Sequence, residues 1–297
     1  MDKRESCRKL WKECFGDSES YMDYYFTEKW KNNIVFTKEE TDEVVSMVHL
    51  NPYSLCYKGK KVESYYIVGV ATKKEYRKKG NMRQLLEQSF SFMKESGIKL
   101  TYLMPADRKI YEPFGFRFIY EQERYRLHKI KRNWDFTSGV KSKTIEELST
   151  EELEELLSFC ERILQKEFDL YVIRGQEYYT NLQKEMKASC GAVRVFFKKN
   201  HIIGILAYGR EKGVLEITES LIDFNYTREI LMAFFSIEDE TEAYFLESHF
   251  LDKTVLEESA EWVQKETVPI IMAKMLEDTE EAESIWRGQR VYLNEIV

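Results

Sequence analysis

Between Tyr66 and Phe92 the chain changes from one hydrophobic pattern to another across a short polar break. Ile67, Val68 and Val70, preceded by two aromatic residues, form a run suited to a β-strand. From Met82 the apolar positions Met82, Leu85, Leu86, Phe90 and Met93 recur at helical spacing. Between them, Arg77-Lys78-Lys79-Gly80-Asn81 gathers positive charge where that helix begins. Upstream, Leu10, Trp11, Cys14 and Phe15 share one face of a helix over Arg8 to Phe15, which Gly16 stops. Asp17 or Ser18 then caps a second, aromatic helix expected through Lys31. Ile34 to Thr37, Glu43 to Leu50 and Tyr53 to Tyr57 read as strands. Lys58-Gly59-Lys60-Lys61 turns the chain into another, Val62 to Thr72. With a strand at Lys99 to Pro105, a short helix and two more strands, this predicts an α+β layer.

The pattern then restarts. Asn133 to Lys143 is polar and irregular, the best linker in the chain. Beyond it a helix is expected over Thr150 to Phe168, with strands at Ala192 to Lys198, Ile202 to Gly209 and Val214 to Ser220. A further helix covers Arg228 to Ser236, and Val268 to Val297 reads strand, helix, strand. The expected division is 1–132, 143–266 and a tail at 267–297. Arg210-Glu211-Lys212-Gly213 also carries a basic glycine turn, but a strand follows it, so it reads as a hairpin. The junction before the second unit's helix, Asp223-Phe224-Asn225-Tyr226-Thr227, has neither glycine nor basic cluster.

At 297 residues the chain suits two domains, each long enough to bury a core. It has no low-complexity tract, no apolar run approaching membrane-spanning length and no signal-peptide core at Met1 to Ser6, which together predict a soluble protein without a membrane anchor. The five cysteines form no CxxC pair, which fits reduced thiols and a cytoplasmic setting. The four histidines lack metal-ligand spacing, so no metal site is expected. A net charge of −7 conceals an asymmetry. Residues 1–142 hold 28 Lys and Arg against 20 Asp and Glu, whereas the remainder holds 17 against 32. A basic half suits a polyanionic cofactor, and an acidic half beside it suits a cationic amine. Nucleic acid fits poorly, because its footprint is a strongly basic domain.

The strand–turn–helix at Gly80 has the elements of a phosphate cradle. A helix N-terminus presents unpaired N–H groups and partial positive charge, and glycine admits a diphosphate close to the backbone. Neither GxxxxGK followed by Ser or Thr, nor GxGxxG, occurs in the chain. Basic strand–turn–helix junctions are also common in proteins that bind nothing.

A second motif follows. Tyr111-Glu112-Pro113-Phe114-Gly115-Phe116 lies thirty-one residues beyond Gly80. In that order the two segments resemble the GCN5-related N-acetyltransferases (GNAT), specifically the enhanced-intracellular-survival (Eis) type with tandem acetyltransferase-like domains. Arg77, Gly80 and Met82 match its pyrophosphate motif, with Met82 departing from the usual small residue as that branch does. The resemblance covers Val62 to about Leu127 well and the remainder loosely. It implies two GNAT-like domains, the first catalytic and the second degenerate, and a short sterol-carrier-like remnant at the C-terminus. It implies acetyl-CoA as co-substrate. Val70, Ala71 and Thr72 would face its pantetheine amides, and Lys78, Lys79, Gly80, Asn81, Met82 and Arg83 its phosphates. Ala106 and Asp107 fall where the family has a Ser-Glu cofactor contact. Tyr111 would be the acid, and the Val297 carboxylate would enter the active site. The family also tends to assemble into homo-oligomers, and its first two helices roof the acceptor pocket.

The chemistry has three demands: a positioned thioester, a neutral amine and help for the departing thiolate. A primary amine of pKa ~10.4 is neutral in about 1 of 2500 molecules at pH 7, a deprotonation cost of roughly 4.6 kcal/mol. Candidates for the base are Val297, Glu63, His49 or a water. Tyr111 is expected to donate a hydrogen bond to the leaving sulfur. The acceptor classes left open are aminoglycosides, polyamines and protein or peptide amines. The rival readings are a non-catalytic acetyl-CoA sensor or scaffold, and an acyltransferase using another acyl chain or acceptor.

Overall fold

A computed structural model describes residues 2–132, 139–277 and 290–295. Helix α1 (Lys3–Phe15) buries Cys7, Leu10 and Trp11 and ends at Gly16 in the left-handed conformation, φ 74°. Helix α2 (Glu19–Thr27) is capped by Ser18, whose Oγ accepts from Tyr21 N at 3.2 Å. It stops at Thr27, and the expected continuation to Lys31 is a separate 3-10 turn, Lys29–Lys31. Strands β1 (Ile34–Glu40), β2 (Glu43–Tyr57) and β3 (Lys60–Thr72) follow. The two strands expected on either side of Pro52 are one; Pro52 lies where neither β1 nor the strand beyond it borders β2, so its missing N–H breaks no ladder.

Next come α3 (Asn81–Glu95), β4 (Leu100–Leu103), α4 (Arg108–Tyr111) and β5 (Arg117–Ile130). The second half runs β6 (Lys141–Thr144), α5 (Thr150–Glu167), β7 (Leu170–Val172), α6 (Gln176–Ala188) and β8 (Ala192–Lys198). It continues with β9 (His201–Glu211), β10 (Val214–Ile222), α7 (Thr227–Ile237), β11 (Glu242–Phe245), α8 (Lys253–Glu258), β12 (Ala260–Met275) and β13 (Val291–Tyr292). Lys212 and Gly213, at φ 50° and 81°, make the two-residue hairpin expected between β9 and β10. Of the expected linker, residues 133–138 lie outside the described residues, and Lys141–Thr144 is a strand paired with β8.

All described strands join one sheet in the order β13-β7-β2-β3-β4-β12-β5-β11-β10-β9-β8-β6, with β1 on β2. Only β3·β4, β10·β11 and β13·β7 are parallel among these pairings. The fold is α+β, a large mostly antiparallel sheet flanked by helices.

The tail departs from expectation. Residues 267–275, read from sequence as the opening of a separate C-terminal piece, are the second half of β12. That strand fills the slot between β4 and β5, pairing Met272–Met275 with β4 and most of its length with β5. The helix expected in the tail falls within 278–289, outside the described residues. The first unit's sheet is therefore completed by a strand from the far end of the chain. The largest apolar cluster accordingly joins Tyr66, Tyr102 and Leu127 to Leu206, Phe234 and Tyr292.

Candidate functional site

The site is built where β3 parts from its parallel neighbour. Pairing between β3 and β4 is confined to Tyr65↔Thr101 and Tyr66↔Tyr102. Beyond Tyr66 the β3 edge that carries Ile67–Thr72 faces no strand on the β4 side among the described residues. A bulge sharpens the divergence: Met47 pairs Ala71 while His49 pairs Val68, leaving one extra residue in β3. Gly69 takes that position at φ 60°, and a Cβ there would sit 2.5 Å from the Trp11 indole. Sequence reasoning missed Gly69, although a glycine inside an apolar strand is itself a bulge signal.

After β3 the chain makes a 3-10 turn, Lys74–Tyr76, and then the basic turn into α3. Arg77 Nε donates to Thr72 O at 3.0 Å and Asn81 Nδ2 to Tyr76 O at 3.3 Å, which ties the turn back to the strand end. Lys78 and Gly80 adopt positive φ, 61° and 83°. Gly80 is needed for that conformation rather than for lack of room, since nothing lies within 4 Å of its would-be Cβ. Gly80 O accepts from Gln84 N at 3.0 Å, so α3 begins at once. The N–H groups of Asn81, Met82 and Arg83 then have no acceptor among the described residues. Lys78 and Lys79 are exposed and form no ion pair among the described residues, with Lys79 lying 4.8 Å over the Tyr76 ring. Arg83 stacks on Phe114 at 4.8 Å, and Met82 turns into the apolar cluster under α3. Val70 and Thr72 are half-buried and Ala71 is buried. Thr72 Oγ1 meets Ser46 Oγ at 2.8 Å.

Tyr111 ends α4, with Gly115 in the left-handed conformation before β5. Its ring packs edge-on against Phe116 at 5.9 Å. Burial pushes the phenol pKa up to about 12, and its hydroxyl has no protein partner among the described residues. Ala106 and Asp107 precede α4, and Asp107 caps it by accepting from Lys109 N at 2.9 Å. Tyr66 is buried behind this end, its ring 5.2 Å from that of Tyr102, and burial raises its phenol pKa, with Tyr111 and Glu295 adding to the rise.

A cavity of ≈ 430 Å³ is lined by Asn51, the β2 residue that pairs with Tyr66, and by its neighbours. It opens on the edge of β2 away from β3, at Asn51–Ser54, where neither β1 nor β7 pairs with it, between the Lys29 turn and the face of α6. Tyr24 OH donates to Asn181 O at 3.2 Å, and Lys184 pairs with Glu28 at 2.6 Å, holding α2 against α6. Five carboxylates line the cavity (Glu28, Glu177, Glu185, Glu219 and Glu295) against two lysines, Lys29 and Lys61. Glu185 is paired with Lys29 at 3.3 Å. At the inner end Arg174 is buried between two carboxylates, 3.0 Å from Glu219 and 3.5 Å from Glu295. Burial raises Glu295 to about 7, against the lowering influence of Arg174.

The bases considered from sequence fare differently. Glu63 is on the surface, 2.8 Å from Lys61, a contact that lowers its pKa. His49 is enclosed by Trp11, Tyr25, Phe26 and Trp30, and burial pulls its pKa to about 3. Neither lines the cavity. Val297 lies outside the described residues. Arg174, Glu219 and Glu295 carried no sequence signal: they come from a strand end, a second-unit strand and the tail. Among the described residues no group of three or more metal-ligating side chains is assembled, and no helix is long and apolar enough to cross a membrane.

Comparison with known proteins bears on the fold. The family description "Acetyltransferase (GNAT) domain" matches residues 2–119. A GCN5-related N-acetyltransferase from Anabaena variabilis superposes with TM-score 0.70 at 14% identity, over 93% of this chain and 71% of that one. A probable N-acyltransferase from Enterococcus faecalis gives 0.69 at 16%, over 93% and 70%. Eis1 from Mycobacterium abscessus gives 0.64 at 12%, over 95% and 73%. No curated protein matches the chain. Residues 2–119 thus match a GNAT domain, and nearly the whole chain has the fold of these structures.

Proposed function

We propose that the protein is an N-acetyltransferase that moves an acetyl group from acetyl-CoA to a cationic amine. The observation that carries this reading is that one sheet holds, among the described residues, an open β3 edge leading into an uncovered helix N-terminus, a buried phenol without a protein partner and a cavity lined by carboxylates. Acetyl-CoA fits the residues present. The orphan N–H groups of Asn81, Met82 and Arg83, with Lys78 and Lys79 beside them, supply diphosphate donors, and the space around Gly80 is open. The free edge at Val70, Ala71 and Thr72 offers backbone groups to an amide-bearing arm. When bound, the thioester supplies the electrophilic carbonyl and the sulfur leaving group.

Tyr111 donates to that sulfur as negative charge develops there. With the phenol near 12 and a thiol near ~8.5, complete transfer to a free thiolate would cost roughly 5 kcal/mol. The hydroxyl therefore acts as a hydrogen-bond donor through most of the reaction. The acidic cavity favours an acceptor that arrives as an ammonium. In this reading residues 1–132 carry the co-substrate and the acid. Residues 143–266 form a degenerate unit whose α6 and β10 complete the acceptor cavity. Release of free thiol from acetyl-CoA across a panel of alkylamines, polyamines, aminoglycosides and peptide amines tests it. Amine-dependent thiol release is expected. Tight binding of acetyl-CoA with no turnover would replace the enzyme by a sensor, and turnover only with longer acyl-CoA would change the donor.

A further inference from the structure

The inner wall of the cavity holds a carboxylate whose bonding is incomplete. Glu295 is 5% exposed. Its Oε1 accepts from Tyr178 OH at 3.2 Å and lies 3.5 Å from Arg174 Nη2. Its Oε2 is buried without a partner among the described residues. A buried carboxylate oxygen left open costs stability, so its retention at a cavity wall points to a ligand that completes it.

The surrounding charges sharpen the case. Arg174 is held more closely by Glu219 than by Glu295: Nε reaches both Glu219 oxygens at 3.2 Å and Nη2 reaches one at 3.0 Å, while Nη1 donates to Val172 O at 2.7 Å. Arg174 and Glu219 therefore cancel. The phenols that feel Glu295 are Tyr178 on α6 and Tyr53, Tyr66, Tyr102 and Tyr120 on β2 to β5, with Tyr292 on its own segment. Burial raises every one of them, so they stay neutral over the working range. Of the other charged groups lining the cavity, Lys29 pairs with Glu185, Glu28 with Lys184 and Lys61 with Glu63, and Glu177 is exposed. Ionised Glu295 leaves one uncompensated negative charge at the inner end, and protonated Glu295 leaves none. That is the charge change of a group that receives an ammonium and then takes its proton.

We propose that Glu295 is the catalytic base: its Oε2 binds the acceptor ammonium and removes the proton that prevents nitrogen from attacking. The proposal rests on the N-acetyltransferase reading. It makes Arg174 and Glu219 positioning residues, so that the second unit and the tail build half of the active site. The proton count closes. Nitrogen gives one proton to Glu295 and forms the C–N bond with its freed pair. As the C–S bond breaks, sulfur keeps that electron pair and takes the second nitrogen proton, with Tyr111 donating to it as it leaves. Glu295 returns its proton to solvent through the cavity mouth.

The test compares the full-length protein with Glu295→Gln, using an alkylamine of ordinary pKa and a fluorinated amine of pKa below about 6, which is already neutral at pH 7. Gln keeps the acceptor for Tyr178 and removes the charge. With the alkylamine, kcat/KM is expected to fall about 10²- to 10³-fold, while acetyl-CoA affinity holds. With the fluorinated amine the loss should be less than about threefold, because no ammonium proton must be removed. Equal losses with both amines, or none with either, would overturn the assignment. Wild type alone gives a second measurement if the variant does not fold. Burial holds Glu295 near 7, and a base works when ionised. Activity with the alkylamine should therefore rise through a limb near pH 7 that the fluorinated amine lacks. The same limb with both amines also refutes it. Absence of turnover with every amine in wild type would remove the N-acetyltransferase reading and this base with it. An active wild type with an unaffected Glu295→Gln removes only the base.

Discussion

The two halves of the chain repeat one device and use it differently. In each, a bulged strand leads through a 3-10 turn into a helix: β3, Lys74–Tyr76 and α3, then β10, Phe224–Tyr226 and α7. In the first half the bulge residue is Gly69 and the β3 edge beyond Tyr66 stands open. In the second the register slips at Thr218, and the gap beyond it is closed by the chain itself. Leu246 N donates to Ile217 O at 2.9 Å, Ser220 Oγ to Glu247 O at 2.7 Å, and Asn294 Nδ2 to Thr218 O. The turns differ as well. Four residues, Arg77 to Gly80, separate the first 3-10 turn from its helix, whereas Thr227 follows Tyr226 directly. Thr227 is buried, and its Oγ1 accepts from Asp252 N at 3.0 Å, so the start of α7 is covered. The same local fold yields a cradle or a plug according to a glycine turn and what packs on the strand edge.

The largest break in this comparison is expected at the turn. Gly80→Glu forces a side chain into φ 83° and sets a carboxylate against the N–H groups proposed to hold the diphosphate. Calorimetry on the intact chain should show one acetyl-CoA site in the wild type and binding weakened by at least about 10³-fold in the variant. Retained binding would move the site off the cradle. The intact chain is needed, because residues 1–142 lack β12, which fills the slot between β4 and β5.

Tyr111→Phe comes next. The phenylalanine keeps the packing on Phe116 and loses only the hydroxyl, so kcat should fall about 10²-fold with little change in acetyl-CoA affinity. Turnover at the parental rate would leave the departing sulfur to another donor.

Gly69→Ala tests the bulge. The new methyl would overlap Trp11 and the backbone would sit in the left-handed region, so a loss of about 3 kcal/mol is expected in denaturant melts. Pairing it with Trp11→Leu should recover part of that loss, because the ring supplies the clash. Full additivity of the two substitutions would show that the backbone conformation, not the indole, sets the cost.

Much of this device was legible along the chain. A strand ending in a basic turn, Gly80 at the helix start, Tyr111 ahead of Phe114-Gly115-Phe116 and the Lys212-Gly213 hairpin are local patterns, and local backbone preference decides them. What escaped is non-local. Nothing in Glu261-Trp262-Val263 announces that β12 enters another unit's sheet, because pairing depends on partners about 140 residues earlier. The buried cluster of Arg174, Glu219 and Glu295 is assembled from three distant segments, each reading alone as an ordinary surface charge.

The smallest expected effect concerns the plug. Asn294 is buried, accepts from Gln122 Nε2 and donates to the Thr218 carbonyl, so it ties the tail to the second unit's bulge. Asn294→Ala leaves both partners short of a bond, a cost of about 1–2 kcal/mol that thermal or denaturant unfolding would register. It also uncovers the strand edge that corresponds to the open edge of β3. Opening that edge should not create a second acetyl-CoA site. Ser220 and Leu246 still close the gap, no glycine precedes α7, and Thr227 keeps its N-terminus covered. Calorimetric stoichiometry should therefore remain at one per chain. A second binding event in Asn294→Ala would mean that the plug alone had silenced the second half, and that its missing glycine turn was no barrier.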